Sequence, residues 1–195
     1  DDLRTRLHAT RWPEPATDPA QGVALEALQA LCAYWADGYD WRRAEARLNS
    51  IGQFRTTMDG LGIHFLHARS TEPGALPLLL THGWPGSVIE LLEVIRPLND
   101  AGFHCVVPSL PGYGFSDKPA AVGWGVERIA RAWATLMARL GYDRYGAQGS
   151  DWGTSVTASL GRVDVEHIAG IHLMPPLAPP DPDTARLAIL DAELG

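Results

Sequence analysis

The sequence GSDWG, at residues 149–153, places an aspartate between two glycines at the end of an apolar run. In a nucleophile elbow, a sharp turn between a strand and a helix presents the reactive side chain. The positions two before and two after it must be small, because strand and helix approach closely there. A turn centred on Ser150 would fill those positions with a glutamine and a tryptophan. A turn centred on Asp151 fills them with Gly149 and Gly153, so the spacing predicts that Asp151 is the presented side chain.

An ordinary helix cap is a second interpretation of the same residues. An aspartate just before a helix commonly accepts hydrogen bonds from first-turn backbone N–H groups, and a single G-x-D-x-G pattern is more often of that kind. The hypothesis that Asp151 is a nucleophile therefore depends on a second motif.

The second motif is HGWPGS, at residues 82–87, which directly follows the apolar run LPLLLTH. A sharp turn there can direct a backbone N–H toward a residue presented by the neighbouring strand, and the N–H after a nucleophile supplies a second donor. We therefore predict an oxyanion hole formed by the backbone amides of Trp84 and Trp152. An ordinary Gly-Pro turn is the alternative for this motif alone. The residues predicted to shape the turn are His82, Gly83 and Pro85, and we expect the histidine to brace it rather than act as a base.

The elements that must position these motifs alternate between strand and helix. Alternating residues on both sides of Asp59-Gly60 predict a β-hairpin over residues 53–68. Continuous apolar strands separated by helices indicate an α/β fold with a mostly parallel sheet, helices on both faces and an antiparallel entry. The predicted strands are residues 76–82, 103–112, 145–149 and 167–174, and the predicted helices are residues 87–102, 123–141 and 154–162.

The region before this core, residues 1–52, has a different pattern. Apolar residues recur at helical spacing from Leu25 to Trp35, and again from Trp41 to Leu48, so we predict two tryptophan-rich helices. The tryptophans predicted to act as packing anchors are Trp12, Trp35 and Trp41.

Composition excludes several classes of function. The net charge of −7 is spread along the chain rather than gathered into a basic face, which argues against nucleic acid as a partner. No apolar stretch is long enough to cross a membrane, and no secretion signal is recognisable. Cys32 and Cys105 lie far apart in apolar runs, so we expect free thiols and a reducing, cytoplasmic compartment. No motif for a metal or an organic cofactor is present.

HGWPGS, PSLPGYGFSDKP and GSDWG, in that order, resemble the α/β-hydrolase-fold epoxide hydrolases. The segment from YWADGYDW to FLHARS is similar to the N-terminal region of the microsomal-type branch. The resemblance implies that Asp151 opens a small apolar epoxide to a diol through an alkyl ester. It also implies a cap-domain tyrosine pair that protonates the ring oxygen, and a late histidine, oriented by an acidic residue, that activates water. The implied domains are a helical N-terminal region at 1–52, a partial α/β-hydrolase core at 53–176 and the start of a cap linker at 177–195.

Chemistry agrees with a carboxylate in this position. A carboxylate that attacks an epoxide carbon forms an ester that water can hydrolyse, whereas a serine would form an ether. We expect an apolar substrate pocket floored by Phe115, Trp84 and Trp152, although each of these side chains fits equally well in a core.

The partners that this chemistry needs are not recognisable in the sequence. Only His167 and His172 follow Asp151, both at a predicted strand, and no tyrosine follows Tyr145. We therefore expect a C-terminally truncated fragment that is alkylated at Asp151 without turnover. We also expect its strand at 167–174 to form an exposed edge that promotes self-association.

Two other functions remain open at this stage. A haloalkane dehalogenase also uses an Asp-Trp elbow, with the indole holding the departing halide, although the tryptophan-rich N-terminal region argues against it. A non-catalytic binding module would explain the missing base, but it has no need of a nucleophile and two aligned amide donors.

Overall fold

A computed structural model of the protein describes residues 1–175. The predicted cap linker at 177–195 lies outside the described residues. The chain forms two compact units that divide between Ser50 and Ile51, two residues before the predicted boundary.

The first unit consists of short helices. Both predicted helices are present, and the second begins at an aspartate cap, where Asp40 accepts a hydrogen bond from the backbone N–H of Arg42 at 3.0 Å. A helix at the start of the chain was not predicted. The helices are α1 (Asp2–His8), α2 (Leu25–Ala33) and α3 (Trp41–Asn49), and a wider π-helical turn (Tyr34–Gly38) extends α2.

The tryptophans of this unit are less buried than predicted. Trp12 is half-buried, but Trp35 is 48% exposed and Trp41 is 53% exposed. The prediction that these two side chains are packing anchors is therefore wrong. Helices of nine residues, such as α2 and α3, offer too little surface to enclose indole rings, which instead border an open concavity.

The second unit contains a six-stranded sheet in the order β1-β2-β4-β3-β5-β6. The predicted hairpin is confirmed: β1 and β2 are antiparallel, and Asp59 and Gly60 take positive φ values of 48° and 80° at the turn. β2 pairs antiparallel with β4, and the remaining pairs are parallel. The strands are β1 (Gln53–Met58), β2 (Leu61–Ala68), β3 (Leu76–Thr81), β4 (Phe103–Pro108), β5 (Tyr145–Ser150) and β6 (Ile168–Met174).

Three helices flank this sheet. The helix predicted from residue 87 begins as a 3-10 turn, Val88–Leu91, and the Ser87 side chain caps it by accepting from the backbone N–H of Ile89. The buried ring of Trp133 and its neighbours on two of the helices form the core with the sheet. No helix within residues 1–175 is long and apolar enough to cross a membrane. The helices are α4 (Leu92–Asp100), α5 (Val126–Arg139) and α6 (Trp152–Val163).

The sheet brings the two motifs together. β3 and β5 are parallel neighbours, with Thr81 at the end of β3 opposite Gly149 near the end of β5. Because both strands end at the same edge, the HGWPGS turn and the GSDWG turn begin side by side. The fold therefore is the α/β fold predicted from the alternating pattern.

Candidate active site

Asp151 has an unusual backbone conformation at the junction of β5 and α6. Its φ is 51° and its ψ is −121°, and among residues 1–175 only Asp59 also has a positive φ without being glycine. Such a conformation costs on the order of 1–3 kcal/mol and is held only where the surroundings enforce it. The Asp151 side chain accepts no hydrogen bond from the second- or third-position backbone N–H groups of α6, as an N-cap side chain would, so the helix-cap interpretation does not explain it.

The flanking glycines are required by sterics. A Cβ atom built on Gly149 would lie 2.0 Å from the carbonyl oxygen of Gly153. A Cβ atom on Gly153 would lie 2.1 Å from the carbonyl oxygen of Thr81. Both contacts are with backbone, which cannot rotate away as a side chain does. The close approach of strand and helix inferred from the spacing is therefore present.

The carboxylate of Asp151 meets the neighbouring turn. The backbone N–H of Trp84 donates to Asp151 Oδ1 at 2.8 Å. This hydrogen bond, followed by one from the backbone N–H of Trp152, lowers the pKa of Asp151 below the usual carboxyl range. The Trp84 amide chosen from the sequence thus binds the carboxylate, and the Trp84 and Trp152 N–H groups together favour its ionised form.

His82 fixes the turn after β3. Its ring is fully buried. The backbone N–H of Leu110 donates to Nε2 at 3.0 Å, so Nε2 accepts and Nδ1 carries the proton that is donated to the carbonyl oxygen of Gly83 at 2.9 Å. Burial lowers the pKa of His82, which favours the neutral ring. Both nitrogens are occupied, so the ring links this turn to the segment after β4. The peptide bond between Trp84 and Pro85 is cis.

Glu90 supports the same turn and was not recognised in the sequence. The backbone N–H of Gly83 lies 3.4 Å from Glu90 Oε2. A Cβ atom on Gly86 would lie 1.2 Å from Glu90 Oε1, so the carboxylate occupies the space that a side chain at Gly86 would need. The glutamate follows this glycine by four residues, a spacing that gives only a weak signal in sequence.

An apolar cavity of about 550 Å³ opens beside the turn. Trp84 and Trp152 line it, as predicted, and Trp152 also borders a neighbouring groove of about 210 Å³ that contains Asp151. Phe115 is not among the lining residues, and its half-exposed ring packs edge-on against His64 with the ring centres 5.1 Å apart. The other lining residues are Leu110, Pro111, Tyr113, Trp124, Gly125, Val126, Ile129 and Val156.

Comparison with known proteins identifies the family. Residues 77–191 match the family model described as alpha/beta hydrolase fold, and residues 1–91 match the model described as epoxide hydrolase N terminus. The chain belongs to the epoxide hydrolases of the α/β-hydrolase fold. The resemblance inferred from the three motifs is thereby confirmed.

Individual epoxide hydrolases agree with this assignment. A protein from Stigmatella aurantiaca that carries an epoxide hydrolase name is 56% identical in sequence, and the matched region covers 92% of this chain and 43% of the length of that protein. Epoxide hydrolase 1 of Sus scrofa is 34% identical in sequence, and the matched region covers 89% of this chain and 41% of the length of that protein. The structure of Aspergillus niger epoxide hydrolase is similar with a TM-score of 0.81 at 37% identity, covering 93% of this chain and 51% of that one. The chain therefore spans 41% to 43% of the length of these two curated relatives.

The two histidines after the elbow do not reach the Asp151 carboxylate. The backbone N–H of Tyr145 donates to the carbonyl oxygen of His167, which places His167 at the opposite end of β5, about 20 Å away at ~3.3 Å per residue. His172 lies on β6 opposite Gln148. Within residues 1–175, no histidine ring hydrogen bonds to Asp151, and no group of acidic, histidine and cysteine residues is arranged to hold a metal.

The cavity walls are the part of the candidate site that sequence reasoning missed. Trp124, which stands between two glycines just before α5, lines the cavity. Tyr113 lies inside the motif PSLPGYGFSDKP but was not singled out. An aromatic residue isolated between glycines is a signal that could have identified Trp124.

Proposed function

We propose that this chain carries the nucleophilic half of an epoxide-hydrolysing site. In this proposal Asp151 is the nucleophile, and the backbone amides of Trp84 and Trp152 are the oxyanion hole. The observation that supports it best is the 2.8 Å hydrogen bond from the Trp84 N–H to Asp151 Oδ1. It fixes one carboxylate oxygen and leaves Oδ2 as the oxygen that attacks. The proposed domains are 1–52, 53–176 and 177–195, as set out above.

The first step forms an ester. Asp151 Oδ2 attacks one carbon of an apolar epoxide, the ring C–O bond breaks, and its electron pair moves to the ring oxygen, which takes up a proton. The lowered pKa of Asp151 keeps the carboxylate ionised for this attack. The product is a hydroxyalkyl ester whose carbonyl oxygen is Oδ1.

The second step returns the carboxylate. Water adds to Asp151 Cγ and gives up one proton to solvent, and the negative charge that develops on Oδ1 is stabilised by the amide already bound to it. The ester bond between Cγ and Oδ2 then breaks, and Oδ2 takes up a proton and leaves as one of the hydroxyl oxygens of the diol. The carboxyl group loses its remaining proton to solvent, which restores the carboxylate. No histidine ring within residues 1–175 hydrogen bonds to this carboxylate, so we expect the ester to be long-lived in this chain.

Mass spectrometry of the chain after incubation with styrene oxide tests the proposal. We expect one covalent adduct per chain, mapped to the peptide that contains Asp151, and none in Asp151→Asn. Asp143→Asn, a change in another acidic residue of the same unit, serves as the control and should label like the unchanged chain. Adducts spread over many carboxylates, or adducts that persist in Asp151→Asn, would contradict the assigned role.

A parallel incubation with a different reagent separates the proposed function from that of a dehalogenase. Trp152 is 53% exposed and lines the cavity, so its indole is available to a halide. Incubation with a 1-bromoalkane should release no bromide if the site is selective for epoxides. Bromide release without labelling by styrene oxide would favour the dehalogenase, and the absence of both reactions would favour a binding module.

A further inference from the structure

One wall of the cavity is held by charged residues that take no part in the proposed chemistry. Trp124 lines the cavity and packs partly buried against the core. The guanidinium carbon of Arg128, one helical turn later on α5, lies 4.3 Å from the centre of the Trp124 ring system. This geometry is a cation–π contact, and it covers the indole with a planar cation.

Arg128 is itself fixed from a second element. Its Nε donates to Asp59 Oδ2 at 3.1 Å, and Asp59 belongs to the tight turn between β1 and β2. The Arg128 side chain is 35% exposed and that of Asp59 is 59% exposed, so the arginine is the more enclosed partner of this ion pair. A Cβ atom on Gly123, which has a φ of 105°, would lie 3.7 Å from Arg128 Nη1, so the guanidinium also lies beside the backbone that precedes Trp124.

The contacts therefore form a continuous path from the hairpin turn to the cavity. Asp59 orients Arg128, and Arg128 restrains Trp124. An indole attached between Gly123 and Gly125 has little restraint from its own backbone, since glycine permits many conformations. The position of this wall thus depends on the cation–π contact and its ion pair, together with packing against the core, rather than on the loop backbone alone.

We propose that Trp124 is a specificity-determining residue of the cavity and that Arg128, anchored by Asp59, is its positioning residue. The consequence of this arrangement for substrates rests on the proposed function. A restrained indole favours epoxides with an aryl group that can stack on it. A small aliphatic epoxide has no aromatic ring to stack on this wall and gains nothing from it.

Saturation kinetics of Asp151 labelling test this proposal. Styrene oxide and 1,2-epoxybutane are compared in the unchanged chain and in Arg128→Met. We expect the half-saturating concentration of styrene oxide to rise by about two- to five-fold, as loss of a cation–π contact predicts, with the maximal labelling rate constant unchanged. Both constants for 1,2-epoxybutane should stay the same. Equal changes for the two epoxides, or none for either, would overturn the proposal.

Further variants separate positioning from folding. Asp59→Asn keeps a residue that tolerates positive φ but removes the charge, so it should reproduce the effect of Arg128→Met without disturbing the turn. Arg131→Met is the matched control, because Arg131 lies on the same helix and pairs with Glu127 on an exposed surface. It should behave like the unchanged chain.

A double-variant cycle tests whether Arg128 acts through Trp124. Trp124→Leu alone should weaken styrene oxide labelling, and adding Arg128→Met to it should cause no further loss. Additive losses would show that Arg128 influences the site by another route and would contradict the positioning role.

If no epoxide labels the chain, the proposed function fails, but the role of Trp124 and Arg128 can still be tested by a binding measurement. 1-Phenylethane-1,2-diol does not react, and its binding is followed by the shift of the Trp124 indole N–H resonance, assigned with Trp124→Leu. We expect the Kd to rise about two- to five-fold in Arg128→Met and in Asp59→Asn. An unchanged Kd, or no shift of the Trp124 resonance, would overturn the inference.

Discussion

The backbone N–H of Trp84 binds Asp151 Oδ1 at 2.8 Å, although these residues are 67 positions apart in the chain. The contact exists because β3 and β5 are parallel neighbours that end at the same edge of the sheet. It places a fixed donor on the carboxylate before any substrate arrives. In the proposed mechanism that donor stabilises the oxyanion without a conformational change, because the folded chain already holds it in position.

This contact predicts the titration of Asp151. The Trp84 N–H, and then the Trp152 N–H, bind the ionised carboxylate and lower its pKa. Protonation therefore occurs only at a pH below the ordinary aspartate value of about 3.9, and the stabilisation that these hydrogen bonds provide is lost as the pH falls through the lowered value. The ¹³Cγ resonance of Asp151, assigned from its loss in Asp151→Asn, reports this transition. A midpoint at or above the ordinary value would contradict the role of the two amides.

Gly153→Ala is expected to destabilise the second unit strongly. Its Cβ would lie 2.1 Å from the carbonyl oxygen of Thr81, and relief of this overlap requires the strand and the helix to separate. We expect a loss of about 3 kcal/mol or more in the free energy of unfolding, measured by urea denaturation.

Gly161→Ala is the matched control on the same helix. A Cβ there would lie 3.4 Å from Ile171 Cδ1, which is ordinary contact, so helix propensity should make this change neutral or stabilising by up to about 1 kcal/mol. Similar losses for both variants would show that the elbow is no more restrictive than the rest of α6.

The elbow could be predicted because its constraint is local. Small residues two positions on each side of Asp151 indicate that β5 and α6 approach closely, and the structure shows that approach at Gly149 and Gly153. The sheet could be predicted for the same reason, since apolar strands and amphipathic helices follow each other in short segments.

Cavity walls could not be predicted in this way, because they depend on long-range packing. Phe115 lies in a motif near the site, yet its ring packs against His64 of β2. Trp35 and Trp41 have the composition of core residues, but the short helices that carry them leave them half exposed. Residue type alone does not decide between core and surface when the available partner surface is unknown.

An ion pair at the end of the sheet opposite Asp151 predicts a second pH dependence. Asp164 accepts hydrogen bonds from the buried Tyr145 hydroxyl and from His167 Nδ1, the latter at 2.6 Å. The hydrogen bond to Asp164, reinforced by its charge, raises the pKa of His167. The stabilisation is therefore complete at a pH below the ordinary histidine value of about 6.5 and is lost as the pH rises through the raised value. The melting temperature of His167→Gln should lie furthest below that of the unchanged chain near pH 5.5, and the difference should shrink by pH 8.5.

Asp164→Asn provides the control for this titration, because it removes the charge that raises the pKa of His167. In that background His167→Gln should change the melting temperature by a similar amount at both pH values. A difference for His167→Gln that stayed constant or grew with pH would contradict the assigned ion pair.

The edge of the described sheet predicts self-association. β6 pairs only with β5 among the described strands, and Ile171 and Met174 on it are 44% and 54% exposed. Unpaired backbone groups beside apolar side chains favour pairing with another edge, which a lysine on the strand opposes. Ala169→Lys should therefore shift the sedimentation coefficient toward that of the monomer, whereas Val122→Lys, at a loop residue that is 97% exposed, should not. A chain that sediments as a monomer at all concentrations before any substitution would rule out association through this edge.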